Sequence, residues 1–441
     1  MAGLNQFKQV KKNVVLSVSV QMVSFFVSLI LNLLLPKYVT EQEYSYWQIF
    51  LLYVSYVPLL HLGFLDGLIL RFSQYEFDSL DKPLIRTQFK IFFVIEILFS
   101  SVGMIFAQLL FDGTARLLLS FISFAIVTTN LYTYTSYLFQ LTNRIRKYAF
   151  LVLMLRVVLG GGCLALVVVG DVFFYEICLV YFVAHIAAIV WGCCHNQGLY
   201  CFGKSVPLRE GWIDFKKNIL AGLTLLAANL SSMLMVGGAK MVVQWNYDVL
   251  VFGQVAFAFN VSNLFLTFIT AASIAVFPSL KRLDKDCLPE FYFRIRNSFS
   301  PFLFLSLVAY FPGFFILNYW LPSYRSSLVY LGALMPIVIY SSRILLLTNN
   351  YLKALRKEKI LLMINCVSLV FAFAFFMLFA YASDSILLIL LSLVAVVIAQ
   401  SIFSELIVMK LLNKFQIRNF IAEFVLTVCY IFVVLVFNGI V

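Results

Sequence analysis

The sequence predicts an all-α integral membrane protein, and three observations support this fold class. Hydrophobic residues make up 63% of the 441 positions and charged residues only 12%, with a mean hydropathy of +0.98, whereas about a quarter of the residues in soluble domains are charged. Apolar runs of about 20 residues, the length that crosses the hydrocarbon core, recur along the chain. These runs are continuous rather than alternating, which favours helices over barrel strands.

Thirteen apolar segments are predicted to be transmembrane helices. They are residues 14–35, 44–70, 89–111, 117–141, 148–170, 174–194, 217–239, 248–278, 299–318, 328–349, 360–381, 385–409 and 419–438. Because thirteen is an odd number, the last segment would leave the C-terminus outside unless that segment is re-entrant.

Basic residues are distributed unevenly over the predicted loops. With the N-terminus in the cytoplasm, 26 of the 32 Lys and Arg residues lie on the cytoplasmic side, as the positive-inside rule requires. The remaining six are four on the outside and two, Arg156 and Arg343, within predicted spans. The net charge of +12 is therefore a topology signal, and no nucleic-acid partner is predicted.

The chain carries a weak internal repeat. KKNVVLSVSVQMVSF from Lys11 matches KKNILAGLTLLAANL from Lys216, and NRIRKYAFLVLML from Asn143 matches LRKEKILLMINCV from Leu355. Similar offsets at matched positions predict two parallel six-helix repeats, related by an axis along the membrane normal. The predicted organisation is an N-terminal lobe (1–197), a cytoplasmic interlobe linker (198–217), a C-terminal lobe (218–412) and an additional transmembrane or re-entrant helix (413–441).

A two-lobed helical bundle is typical of secondary transporters, in which polar residues inside the spans mark the substrate path. Arg156 and Arg343 are the deepest charges. At a rise of about 1.5 Å per residue, they lie roughly 13 Å from Lys147 and roughly 15 Å from Lys353. One falls in each predicted lobe.

An arginine at this depth keeps its charge and therefore needs a partner. One hypothesis is that Arg156 and Arg343 pair with Glu96, Asp66 or Glu405 and so hold helices together. The other is that they line a water-filled cavity and bind an anion, because guanidinium groups suit phosphate oxygens. The sequence leaves both hypotheses open.

Further polar residues are candidates for lining the substrate path. Arg71 lies at the inner boundary as an orientation anchor that could meet a lipid phosphate, and Lys240 is either a cation at the cavity mouth or a snorkelling lysine. His61 and His185 are either proton relays or structural residues. The predicted substrate-binding cations are Arg156, Arg343, Arg71 and Lys240; the predicted coupling or gating residues are Asp66, His61, Glu96, His185 and Glu405.

The stretch HLGFLDGLILRFSQY, residues 61–75, combines several of these features. Gly63 and Gly67 are four apart, which predicts close approach of a neighbouring helix. Asp66 and Arg71 are five apart and are poor partners for each other. We expect Asp66 to face a cation on another helix and His61 to face a central cavity.

Enzymatic motifs are missing from the sequence: it contains no Walker A loop, no His-Glu-x-x-His and no Gly-x-Ser-x-Gly. We predict that the protein is not an enzyme and uses no cofactor or metal. The cluster of Cys193, Cys194, His195 and Cys201 lacks the usual zinc-ligand spacing. Buried small residues explain these cysteines better.

Four segments carry a resemblance to a known family. They are LGFLDGLILRFSQ from Leu62, FKKNILAGL from Phe215, AVFPSLKRL from Ala275 and NNYLKALRKEK from Asn349, in which Arg356 replaces a glycine. In this order, and over most of the chain, they resemble the Wzx-type O-antigen and polysaccharide flippases of the MOP superfamily. That superfamily also contains the MATE exporters and the lipid II flippases.

The resemblance implies a MATE-like MOP fold and a flippase of the bacterial inner membrane. Such a protein moves an undecaprenyl-pyrophosphate-linked oligosaccharide from the cytoplasmic to the periplasmic leaflet, by alternating access through a cationic cavity between the lobes. The implied partners are membrane lipids, polymerase and chain-length proteins, and a coupling ion, H⁺ or Na⁺. Asp66 departs from the family pattern. The alternatives are a MATE-like ion-coupled exporter of small molecules, which would need buried carboxylates, and a membrane scaffold.

Overall fold

The structure is a computed structural model that describes residues 22–73, 75–200, 203–282, 287–355, 357–383, 385–416 and 418–440, with the backbone alone at 268–282, 358, 418 and 419. All regular secondary structure in these ranges is helical. Among them, eleven helices are long and apolar enough to cross a membrane, or twelve when one bent pair counts as a span. The chain is therefore a multi-pass membrane protein, as predicted.

Internal contacts divide the chain into two units, Met1–Leu230 and Ser231–Val441. The described helices of the first unit are α1 (Met22–Tyr38), α2 (Glu41–Val54), α3 (Phe64–Phe72), α4 (Lys82–Leu110), α5 (Gly113–Leu141), α6 (Ile145–Val169), α7 (Phe174–His195) and the first part of α8 (Leu208–Asn246). Part of the first predicted span, 14–35, lies outside the described residues.

Among the described residues, the second unit contains the remainder of α8 and eight further α-helices. These are α9 (Val249–Arg282), α10 (Leu288–Val308), α11 (Tyr310–Trp320), α12 (Arg325–Arg343), α13 (Asn349–Ala354), α14 (Glu358–Ala382), α15 (Ile386–Leu411) and α16 (Arg418–Phe437). Its central helix is α12, in which 14 of the 19 residues are buried. Because α12 packs against α9, α10, α15 and α16, a charge at its end meets several neighbours.

The segment after α7 is fixed to the first unit. Arg86 Nε donates to the Gly198 carbonyl at 2.5 Å, and Thr87 Oγ1 donates to the Val206 carbonyl at 3.0 Å. Both donors lie near the start of α4. The predicted linker, 198–217, therefore lies within the first unit, and the division between the units falls inside α8.

The second span is broken, whereas the sequence analysis treated residues 44–70 as one continuous segment. A 3₁₀ helix, Val57–His61, separates α2 from α3, and the two halves are bent by 56°. Pro58 lies in the first turn of the 3₁₀ helix and has no N–H to continue α2. Leu62 and Gly63, at φ 53° and 81°, then turn the chain through the left-handed region.

The glycines beyond this break permit a close helix crossing. A Cβ atom on Gly67 would lie 1.8 Å from the Asn218 carbonyl oxygen, and one on Gly222 would lie 2.0 Å from the Gly63 carbonyl oxygen. Only glycine leaves room for the backbones of α3 and α8 at this separation. The close approach predicted from the spacing of Gly63 and Gly67 is confirmed.

Aromatic rings extend this contact into the core of the first unit. The ring of Phe64 on α3 lies 4.2 Å from that of Phe215 on α8 and 5.3 Å from that of Phe92 on α4. All three residues are buried. The start of α8 is therefore part of the hydrophobic core of the first unit.

Replacement of either crossing glycine tests this packing. We expect G67A and G222A each to lower the free energy of unfolding by about 1–3 kcal/mol or more, because an added methyl group overpacks the crossing. G161A is the matched control, since a Cβ on Gly161 meets no atom within 4 Å. Thermal unfolding in detergent measures the effect. If G67A and G161A have the same melting temperature, the helices do not cross as closely as described.

Candidate functional site

Four charged side chains form a buried cluster in the second unit. Arg296 on α10 donates through Nε to Glu405 Oε2 at 2.7 Å and through Nη2 to Glu423 Oε2 at 2.8 Å. Arg343 on α12 reaches Glu423 Oε1 at 2.5 Å and Glu405 Oε1 at 3.8 Å. We call these four residues the arginine–glutamate cluster. Its two positive and two negative charges cancel.

Two hydroxyl groups add hydrogen bonds to this cluster. Ser300 donates to Glu423 Oε1 at 3.2 Å and accepts from Arg343 Nη2 at 2.5 Å. Tyr292 donates to Glu405 Oε2 at 3.4 Å. Arg343 and Glu405 therefore agree with the first hypothesis, in which the arginines pair with carboxylates. Together with Arg296 and Glu423, they join α10, α12, α15 and α16.

Two members of the arginine–glutamate cluster were missed from the sequence. The predicted spans place Arg296 in a cytoplasmic loop, but it lies eight residues into α10 and is 1% exposed. Glu423 lies in the last predicted segment, residues 413–441, which the prediction places outside the two six-helix repeats. An acid inside an apolar run is a signal that could have identified it. Through Glu423, α16 is an integral part of the second unit.

Arg71 is also paired. Its Nη2 lies 2.7 Å from Asp214 Oδ1, and its Nη1 donates to Asn218 Oδ1 at 2.5 Å. Gln88 donates to the second oxygen of Asp214 at 2.7 Å. Arg71 thus joins α3 to the start of α8, beside the glycine crossing, and is separate from Asp66 as predicted.

The expectation for Asp66 was wrong. Asp66 Oδ2 lies 4.0 Å from Nε2 of His61, a residue of the same broken span, rather than against a cation on another helix. His61 Nδ1 accepts from the Gly63 N–H at 3.1 Å, and both side chains are buried. The cause is the break at Leu62, which folds the first turn of α3 back toward the 3₁₀ helix.

Arg156 has a different environment. It is half-buried on α6, and among the described residues no carboxylate forms an ion pair with it. Its electrostatic neighbours are Tyr132 on α5 and Tyr181 and His185 on α7. We call these four residues the Arg156 site. An arginine that lacks a counter-charge inside the membrane can receive one from a ligand.

The rings of the Arg156 site are held in place by one another. His185 lies with its ring 4.0 Å from that of Tyr181 and 5.3 Å from that of Tyr132. His185 Nδ1 lies 2.9 Å from the Tyr181 carbonyl, which can only accept, so Nδ1 carries the hydrogen. The Tyr181 hydroxyl lies 2.9 Å from the Thr129 hydroxyl. The site therefore combines a fixed charge with ordered polar aromatic groups.

Lys240 and Glu96 are two further predicted site residues. Lys240 on α8 lies with Nζ 4.9 Å from the ring centroid of Phe259, and no described carboxylate forms an ion pair with it. Glu96 on α4 is fully buried and accepts from Asn130 at 2.7 Å. Within the described residues, the predicted cations thus fall into a paired set, Arg343 and Arg71, and a set without carboxylate partners, Arg156 and Lys240.

Comparisons with solved structures identify the fold. No protein-family model matches the sequence, and no curated protein sequence matches it. Among solved structures, the lipid II flippase MurJ in its inward closed conformation aligns with a TM-score of 0.67 at 11% identity, over 96% of this chain and 91% of its own. A multidrug resistance MATE-family transporter of the MOP superfamily, facing inward, aligns at 0.59 and 9% identity, over 90% and 94%.

A MATE protein in the straight conformation aligns with a TM-score of 0.56 at 10% identity, over 91% of this chain and 96% of its own. The chain has the MOP fold. The predicted fold class is confirmed. These MOP-fold neighbours are transporters and a flippase rather than enzymes.

Removing one carboxylate tests the arginine–glutamate cluster. We expect E423Q to lower the free energy of unfolding by about 3–5 kcal/mol, because two buried guanidinium groups would then share one carboxylate. E290Q is the matched control: Glu290 pairs with Arg294 on the surface, with 73% of each side chain exposed, and its loss should cost less than about 1 kcal/mol. Thermal unfolding in detergent compares them; equal melting temperatures would contradict the structural role.

Proposed function

We propose that the chain is a MOP-superfamily flippase for a pyrophosphate-linked lipid oligosaccharide. It would carry the undecaprenyl-pyrophosphate-linked repeat unit from the cytoplasmic to the periplasmic leaflet of a bacterial inner membrane, by alternating access, for assembly of O-antigen or another surface polysaccharide. The N-terminus would be cytoplasmic. The observation that carries this proposal is the Arg156 site, an arginine within a membrane span without a carboxylate partner in the described structure.

The chemistry of the Arg156 site suits a phosphate. A guanidinium group presents paired N–H donors at the spacing of two phosphate oxygens. Hydroxyl groups of Tyr132 and Tyr181 can donate beside it, and His185 Nε2 can donate when the ring is protonated. A substrate pyrophosphate would therefore supply the negative charge that the site lacks. Lys240, which forms no ion pair with a described carboxylate, is proposed as a further substrate-binding cation.

The resemblance of four sequence segments to Wzx-type flippases supports this substrate class, and so does the likeness in fold to a lipid II flippase. The substrate of a MATE-like drug exporter would more often be a cation, which Arg156 would repel. Arg343 and Arg71 are left out of the proposed binding set because carboxylates already neutralise them. Polymerase and chain-length proteins of the same assembly are proposed partners.

Replacement of Arg156 tests the proposal. R156Q in proteoliposomes is expected to flip a labelled undecaprenyl-pyrophosphate oligosaccharide about 10- to 100-fold more slowly than wild type. The reason is the loss of a charge-assisted hydrogen bond worth about 1.5–3 kcal/mol. R156K keeps the positive charge but not the paired N–H donors of a guanidinium group. Its flipping rate should therefore lie between those of wild type and R156Q.

The matched control is R116Q. Arg116 pairs with Asp112 on the surface, where 41% of the arginine side chain is exposed, and its replacement should leave flipping unchanged. Because no described carboxylate forms an ion pair with Arg156, R156Q should also melt at the wild-type temperature. Wild-type flipping by a well-folded R156Q protein would refute the role of Arg156.

A further inference from the structure

The first turns of α8 bury one face and expose the other. The ring of Phe215 lies 4.2 Å from that of Phe64 on α3, and Asn218 donates to Gln88 Oε1 on α4 at 3.0 Å. On the far side of α8, five exposed residues fall within about 80° of one another at 3.6 residues per turn. These residues, which we call the outer stripe, are Arg209, Ile213, Lys216, Leu220 and Leu223.

The outer stripe changes from charged to apolar along the helix. The cations Arg209 and Lys216 lie near its start, whereas Leu220 and Leu223, which are 72% and 50% exposed, follow them. Trp212 lies beside the cations, with its ring centroid 5.3 Å from Lys216 Nζ. A tryptophan between basic and apolar residues is typical of the membrane–water interface. The outer stripe therefore passes from the headgroup layer into the hydrocarbon.

The length of α8 agrees with this placement. The helix has 39 residues, which at a rise of 1.5 Å per residue make it about 58 Å long, whereas the hydrocarbon core is about 30 Å thick. It therefore extends beyond the core, and its basic start lies among the lipid headgroups. In the proposed topology this end lies in the cytoplasmic leaflet, where anionic lipids are found.

Among the described residues, no carboxylate forms an ion pair with Arg209 or Lys216. Asp214, which lies between them along the chain, faces the buried side of α8. There it pairs with Arg71 at 2.7 Å and accepts from Gln88 at 2.7 Å. The outer stripe therefore presents two positive charges next to an apolar surface.

We propose that the outer stripe binds an anionic phospholipid of the adjacent leaflet. The lipid phosphate lies against Arg209 and Lys216, and the acyl chains run along Leu220 and Leu223. A guanidinium group presents paired N–H donors to phosphate oxygens, and an ammonium group adds a compact charge. A basic loop needs only to lie near the membrane, whereas here one helical face offers places for the headgroup and for the chains in order. The site is separate from the Arg156 site and does not depend on the substrate carried.

A lipid on the outer stripe would also stabilise the glycine crossing. The turns that carry the stripe also carry Gly222, which lies against the Gly63 carbonyl on α3, and Asp214, which pairs with Arg71. A ligand that binds only the folded state raises its stability. Anionic phospholipid should therefore raise the melting temperature of the protein.

Fluorescence quenching in bilayers tests the site directly, because Trp212 is 41% exposed beside it. The full-length protein is reconstituted in phosphatidylcholine with increasing fractions of brominated phosphatidylglycerol or brominated phosphatidylcholine. The signal of Trp212 is the difference between each protein and the same protein with W212F. Because each cation contributes about a fivefold preference for anionic lipid, wild type should prefer phosphatidylglycerol about 10- to 30-fold, and R209Q/K216Q should show no preference.

R146Q/K147Q is the matched control. Arg146 and Lys147 lie at the start of α6, in the same proposed leaflet, and their replacement removes two positive charges from another part of the surface. This variant should keep the preference, and so should R209K/K216R, in which both charges remain. In detergent, phosphatidylglycerol should raise the melting temperatures of wild type and of the control, but not that of R209Q/K216Q.

Three results would overturn the proposal. The first is equal quenching of wild-type Trp212 by the two brominated lipids. The second is a preference that R209Q/K216Q retains or that R146Q/K147Q loses to the same extent. The third is an equal rise of the melting temperature with phosphatidylglycerol in wild type and R209Q/K216Q.

Discussion

The cost of placing a charge in hydrocarbon governs the polar architecture of this protein. Arg296 and Arg343 are enclosed with exactly as many glutamates, and Ser300 and Tyr292 add hydrogen bonds to the carboxylates. The cluster joins four helices, because each charge comes from a different one. Its role depends on balance: a missing partner would leave a buried charge that nothing neutralises.

The first unit also contains charges that must be stabilised within the membrane, but it has no cluster of four charges among its described residues. Its Arg71–Asp214 pair lies beside the crossing of Gly67 and Gly222, where backbone contact takes the place of side-chain packing. The break after Val54 brings Asp66 Oδ2 within 4.0 Å of His61 Nε2, a contact within one span that a continuous helix would not make. Arg156 differs from Arg71 and Arg343, because no carboxylate among the described residues pairs with it and its electrostatic neighbours are Tyr132, Tyr181 and His185. This contrast with Arg343 is the basis of our proposal that Arg156, rather than Arg343, binds the substrate.

Sequence reasoning predicted the fold class and placed Arg156 and Arg343 within helices, because apolar length and position along a helix are properties of the chain alone. It could not decide whether each arginine pairs with a carboxylate or binds an anion, since that depends on which helices pack together. Glu423 illustrates this: it neutralises Arg343 from a helix 80 positions further along the chain. The break in the second span was missed because Pro58 lies inside an otherwise unbroken apolar run. The spacing of Gly63 and Gly67 was informative because close helix approach requires small residues.

We propose that Arg156 binds the anionic part of the substrate, whereas Arg343 stabilises the fold. The most direct measurement is the affinity of the purified full-length protein for undecaprenyl pyrophosphate in detergent, compared between wild type and R156Q. The Kd is predicted to rise at least about tenfold in R156Q, because a charge-assisted hydrogen bond to phosphate is lost. An equal Kd in the two proteins, with equal melting temperatures, would contradict the account.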